Sequence, residues 1–228
     1  MQQSKYGFQA NVYNQLKNRN IFRGKKCLDI GTRDGLNCIN LIKLGASHVV
    51  GIDINDTLFD TVYKPEFTAY SKNIALKKVN LLDLNSNINN SEKYDIITCF
   101  LWNMPLPKYS EIIEKIKSLL KNDGSIFIGI HDELYKFGLI DKTTIPYQIK
   151  PNTGSVLELI SNNFTFCEII DKSSPYQWII YANNNIKDRL HLTNSMIHVL
   201  NWQHKLKKQT SNVDYSCIYN FPIPPNTM

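Results

Sequence analysis

The chain has 228 residues, of which 43% are hydrophobic, so it can bury one substantial core and is expected to form one domain with additions. The formal charge of +6 is uneven: residues 1–30 carry six Lys/Arg and one acid, residues 184–228 carry five and two, and residues 31–183 carry fifteen and seventeen. No apolar run approaches the ~18 residues that would span a bilayer, and the polar start is unlike a signal peptide. Five cysteines (27, 38, 99, 167 and 217) form no C-x-x-C pair, which points to reduced thiols in a soluble, cytoplasmic protein and to no metal site.

Residues 6–20 place Phe8, Val12 and Leu16 at helical spacing, so an amphipathic helix is expected, with Tyr6 and Tyr13 as candidate pocket residues. A buried strand, Cys27 to Ile30, then runs into a turn from Gly31 to Gly35 and a helix from Leu36 to about Leu44. Two glycines allow close backbone approach to a ligand, and the helix N-terminus supplies N–H donors. Arg33 stands where the dinucleotide fingerprint has its second glycine, which disfavours a nicotinamide cofactor. Asp29, at the strand end, would repel a phosphate but suits an ammonium group. A second strand, Val49 to Asp53, ends in a carboxylate 18 residues after Gly35, placed to accept hydrogen bonds from ribose hydroxyls.

The stretches Leu28-Asp-Ile-Gly-Thr-Arg-Asp-Gly35 and Val50-Gly-Ile-Asp53 resemble the first two motifs of class I S-adenosylmethionine-dependent methyltransferases. Gly-Thr-Arg-Asp-Gly looks like a variant found in proteins related to tRNA wobble-uridine methyltransferases. The resemblance covers roughly residues 20 to 182. It implies a Rossmann-like α/β fold, with a seven-stranded, mostly parallel sheet, helices on both faces and an antiparallel C-terminal hairpin. It also implies S-adenosyl-L-methionine as cofactor, held by Asp29, Gly31, Thr32, Arg33, Gly35, Asp53, Ile54, Asp83 and Phe100. Asp83 would accept from the adenine amino group, and the N-terminal helix would lie across the cofactor.

Further along, Pro65 opens an expected helix with Phe67, Tyr70 and Ile74 on one face, followed by a short strand, Val79 to Leu82, ended by Asp83. After a loop from Leu84 to Glu92, the apolar run Tyr94 to Leu101 reads as a central parallel strand, with Asp95 structural at its start. The turn Trp102-Asn-Met-Pro-Leu-Pro107 follows, at the strand end where an open α/β sheet binds ligands. Trp102 and Asn103 are therefore candidates for acceptor contact. The turn is not the Asn/Asp-Pro-Pro-Tyr motif of base amino-methyltransferases.

A helix from Ser110, as cap, to Lys121, a turn at Asn122-Asp-Gly and a strand from Ser125 to Ile130 come next. His131 at its end is the candidate general base, since an imidazole titrates near ~6.5, with Asp132 or Glu133 to orient it. Residues 134–152 form a long connection whose Lys136, Lys142 and Lys150 suit an anionic substrate. A helix from Thr153 or Ser155 to about Ser161 precedes two strands, Phe164 to Ile170 and Tyr176 to Tyr181, joined by an Asp171–Pro175 link.

The expected organisation is an N-terminal helix or lid (1–22), a cofactor-binding domain (23–183) and an extension (184–228) with a helix from Asn194 to Lys208. That extension would serve as lid, dimer contact or substrate recognition. If both basic ends fold over one sheet edge, they make a basic rim attractive to phosphorylated or nucleic-acid substrates. Three functions follow: O-methylation of a small anionic or phosphorylated metabolite or carbohydrate precursor, methylation of tRNA or other RNA, or a non-catalytic subunit with Arg33 altering the loop.

Overall fold

A computed structural model of the chain describes Tyr13 and residues 16–59, 68–83, 92–100, 106–131, 159–160, 162–174 and 177–184. In chain order these form β1 (Lys26–Ile30), α1 (Leu36–Lys43), β2 (His48–Asp53), β3 (Ile74–Lys78), β4 (Tyr94–Cys99), α2 (Leu106–Leu119), β5 (Leu120–His131), β6 (Phe166–Ser174) and β7 (Gln177–Asn183). The strands make one sheet in the order β3-β2-β1-β4-β5-β7-β6. β7 runs antiparallel to both of its neighbours, while the pairs from β3 to β5 are parallel.

Both faces of the sheet are covered because residues alternate along each strand. Leu28, Ile30, Val50, Ile52, Ile97, Ile126 and Ile128 pack with Ile112, Ile113 and Ile116 of α2. On the other face Cys27, Val49, Ile96 and Phe127 pack with Cys38, Ile39 and Leu41 of α1 and with Tyr13, Leu16 and Phe22 from the N-terminal segment. Phe22 stacks on Phe127 with centroids 5.5 Å apart, and Phe127 meets Tyr181 at 5.1 Å. The cysteines at 27, 38, 99 and 167 are buried thiols that form no disulfide. No helix among the described residues is long and apolar enough to cross a membrane.

Several elements lie elsewhere than the sequence suggests. The third strand is Ile74–Lys78. Ile74 thus belongs to a strand rather than to a helix face, and residues 79–83 are not a strand. Val79 N–H still donates to the Asp53 carbonyl at 2.8 Å, after which Asp83 N–H bonds the Asn80 carbonyl at 3.1 Å and closes a turn. Lys77 and Lys78 mark β3 as a sheet edge, a pattern that hides its period-two signal.

α2 starts at Leu106, not at a Ser110 cap, since Pro107 falls in the first turn where its missing N–H costs nothing. The expected Asn122-Asp-Gly turn is a bulge inside β5: Tyr94 pairs Leu120 but Ile96 pairs Ser125. Gly124 is required there, because a Cβ would sit 2.6 Å from Leu120 Cγ and 3.0 Å from the Asp95 carbonyl. The last hairpin is tighter than expected, with Asp171 to Ser174 inside β6 and Ser174 paired to Gln177.

Candidate cofactor-binding site

In a parallel sheet all strand ends share one edge, so β1, β2, β3 and β4 deliver Gly31, Asp53, the 79–83 turn and Phe100 to the same side. The glycine turn is pinned to β2. Gly31 N–H and Thr32 N–H both donate to the Ile52 carbonyl, at 2.8 and 3.0 Å, and Arg33 N–H donates to Asp53 Oδ2 at 2.8 Å. Gly35 at φ +79° forms the left-handed entry to α1, with Leu76 3.0 Å from where its Cβ would lie. Arg33 is exposed and also left-handed, at φ +56°, a conformation that costs an L-residue roughly 1 kcal/mol.

The second oxygen of Asp53, Oδ1, accepts from Asn55 N–H at 3.0 Å. Each carboxylate oxygen therefore takes one backbone donor and keeps acceptor capacity for another. Ile54 beside it is 70% exposed, the large apolar side chain among the described residues left open to solvent. An acceptor pair next to an uncovered apolar surface fits a nucleoside, whose ribose hydroxyls donate and whose base is flat and apolar. Asp83 is exposed in its turn on the same edge, and Phe100 is buried at the end of β4.

Asp29 is placed differently from a residue that meets an ammonium group directly. It is 2% exposed, one layer beneath the turn, and its oxygens are covered by side chains. Oδ1 accepts from Asn37 Nδ2 at 2.6 Å and from Thr98 Oγ1 at 2.7 Å; Oδ2 receives the Cys38 thiol at 3.7 Å, and the Thr32 hydroxyl also bonds the carboxylate. Burial raises its carboxyl above the ordinary value, against the lowering effect of these four hydrogen bonds. Asn37 also bonds Thr98 Oγ1, at 3.3 Å, and its Oδ1 accepts from the Tyr13 hydroxyl. A closed set of polar groups thus ties the N-terminal segment, the first turn of α1, β1 and β4 together under the glycine turn. Tyr13 is one of its anchors rather than a pocket-lining residue.

Asn37, Cys38 and Thr98 were not singled out by the sequence. Their signal is weak: an amide and a thiol in a first helical turn, and a hydroxyl within an apolar strand. Gly51 was also missed. It pairs with Asp29 across the sheet, and a Cβ there would lie 2.7 Å from Cys38 Sγ, 2.7 Å from Leu76 Cδ2 and 2.8 Å from Thr32 Oγ1. A glycine inside a strand pattern is the readable sign of such close approach.

His131 ends β5, paired with Gln177, so its backbone lies at the edge of interest. Its side chain, together with Trp102, Asn103, Asp132, Glu133, Tyr6 and the lysines at 136, 142 and 150, lies outside the described residues. Asp95 sits at the start of β4, away from the site, accepting from Lys26 N–H and Lys121 Nζ, both at 2.8 Å. Partial burial pushes its carboxyl up, but these two donors hold it below the ordinary value. The basic N-terminal residues from Lys17 to Lys25 precede β1, Lys26 opens it, and all gather at the opposite edge, so they do not form a rim around this site.

Residues 21–183 match the profile of a family described as a methyltransferase domain. The chain belongs to this family. Residues 21–183 are a methyltransferase domain. Among curated proteins, the chain is 37% identical over 109 residues to a ubiquinone biosynthesis O-methyltransferase of Glaesserella parasuis, a match covering 46% of this chain and 45% of that protein. It is 36% identical over 116 residues to a ribosomal protein L11 methyltransferase of Lactobacillus gasseri, covering 49% and 33%. The match therefore spans less than half of either relative. Among solved structures, magnesium protoporphyrin IX methyltransferase of Synechocystis with bound S-adenosylhomocysteine superposes with a TM-score of 0.58 at 18% identity, covering 78% of this chain and 82% of that one. That likeness shows the fold.

Proposed function

We propose that this methyltransferase methylates an oxygen of a small anionic or phosphorylated metabolite or carbohydrate precursor. The observation that carries the cofactor half of this reading is the Asp53 carboxylate, oriented by Arg33 N–H and Asn55 N–H beside exposed Ile54. Asp53 would accept the ribose hydroxyls, Ile54 and Phe100 would lie against the adenine and Asp83 would accept from its amino group. The Gly31–Gly35 turn, with Thr32 and Arg33, would hold the methionine end, and Asp29 would hold that turn in shape. The bound cofactor supplies an activated methyl group.

The acceptor half rests on the kinship to an O-methyltransferase and on the strand ends of β4 and β5. Trp102 and Asn103 shape the acceptor side, and His131 takes the proton of the attacking hydroxyl. Arg33, exposed on the turn, offers a planar cation to a substrate phosphate or carboxylate. Radiolabelled methyl transfer to a panel of phosphorylated and carboxylated hydroxy compounds, run beside bulk tRNA, tests the reading. His131→Ala should lower turnover with the best small acceptor by ~10²-fold or more. Labelling of tRNA alone would refute it.

A further inference from the structure

The charge that does not reach the cofactor edge is concentrated elsewhere. Three segments precede the first three strands in sheet order: 17–25 before β1, 43–47 before β2 and 70–73 before β3. They are knitted together by Gly24 N–H to the Gly45 carbonyl at 2.8 Å, Ser47 N–H to the Lys25 carbonyl at 2.9 Å and Val49 N–H to the Asn73 carbonyl at 2.8 Å. Asn73 Nδ2 adds a bond to the Ser47 carbonyl at 2.8 Å. The surface so formed carries Lys17, Arg19, Arg23, Lys25, Lys43 and Lys72, all exposed, and the three segments contain no Asp or Glu. Farther along the same edge Lys26 pairs with Glu92 and Lys121 with Asp95, and Lys25 lies within electrostatic reach of Asp95, so the acids of this edge stand beside β4 and the cations gather on the β1–β3 side.

We infer that this strand-start edge is a docking surface for the phosphate backbone of RNA, on the opposite side of the sheet from the cofactor. Its composition selects the partner. A protein partner would need an apolar centre to the interface, and stable attachment to a membrane would need apolar side chains or a lipid chain in addition to basic charge. The described residues expose one large hydrophobic side chain, Ile54, and it lies at the other edge. Cations spread over three hydrogen-bonded turns whose own segments carry no Asp or Glu match a partner that presents repeated negative charge. Gly24 and Gly45 widen the approach, being exposed turn residues, with nothing within 4 Å of where a Gly24 Cβ would lie. The inference goes beyond the proposed reaction, because it holds whichever acceptor is methylated.

The test is fluorescence anisotropy of a labelled, unstructured single-stranded RNA of about 20 nucleotides with the full chain, across a salt series. Arg23→Glu/Lys25→Glu is compared with Lys115→Glu/Lys117→Glu on α2, which has the same net charge. The first pair should weaken RNA binding at least tenfold near 100 mM salt and flatten the log–log salt slope by about 1.4, given ~0.7 per lost phosphate contact on a single strand. The second pair should change neither. Arg23→Gln/Lys25→Gln should give a smaller loss of the same kind. Calorimetric binding of S-adenosylhomocysteine should be the same in all variants, which separates this surface from the cofactor site. Equal losses in both Glu pairs, no RNA binding by the unaltered chain, or tighter binding to phosphatidylserine vesicles than to RNA would each overturn the inference.

Discussion

Gly51→Ala is a small change whose consequence the structure fixes closely. The added methyl would meet Cys38 Sγ and Leu76 Cδ2 at 2.7 Å and Thr32 Oγ1 at 2.8 Å, all below any real Cβ contact. Leu76 is only half-buried and can swing away. Cys38 and Thr32 cannot do so easily: both are buried, they contact one another at 3.1 Å, and both bond Asp29. Relief therefore requires α1 or the glycine turn to move off the sheet, at a cost of about 1–3 kcal/mol. For a domain of this size each kcal/mol is worth about 2–4 °C, so thermal unfolding should show a Tm lower by roughly 2–12 °C. Removing the obstructing sulfur with Cys38→Ala should restore part of this loss, so that the double variant is more stable than the sum of the singles predicts. A Gly51→Ala protein as stable as the parent, or additive behaviour in the cycle, would refute the packing argument.

The buried network yields two further expectations. Tyr13→Phe leaves Asn37 Oδ1 without its hydroxyl donor inside the protein, which should cost about 1–3 kcal/mol in urea denaturation, and less when Asn37 is already Ala. Burial raises the Asp29 carboxyl, so the folded protein keeps that proton to a higher pH than the unfolded chain, whose value is about 3.9. The resulting stability is present in full below about pH 4 and is lost as pH rises through the folded value. Asp29→Asn abolishes the titration. The stability of the parent minus that of the variant should therefore grow as pH falls from 7 to 4, and a constant difference would contradict the assignment.

The parts of the fold legible in the sequence are those whose local signals agree with burial. Cys27–Ile30 is buried throughout, apolar except for Asp29, and Val49–Ile52 carries no polar side chain, because both faces of these strands are covered; Gly31 and Gly35 mark backbone that only glycine adopts cheaply. The strand Ile74–Lys78 was missed because an edge strand keeps only part of its pattern, with Lys77 and Lys78 guarding it. The bulge at 121–124 reads locally as a turn, and only pairing with β4 makes it part of a strand.

At the site, Asp53 was legible because a carboxylate ends a strand. Asp29 was legible as important but not in its place, since nothing local says that Asn37, Thr98, Cys38 and Thr32 converge on it. The basic N-terminal residues were visible as composition, yet their edge is decided by strand direction, which sequence spacing does not carry.

The most direct test of the cofactor assignment is calorimetric titration of the chain and of Asp53→Ala with S-adenosylmethionine, S-adenosylhomocysteine and NAD. The account predicts micromolar binding of the two adenosyl ligands to the parent, none of NAD, and a loss of about 1–3 kcal/mol in Asp53→Ala, roughly 5- to 150-fold in Kd. Binding unchanged by the substitution, or NAD bound as well as the adenosyl ligands, would contradict it.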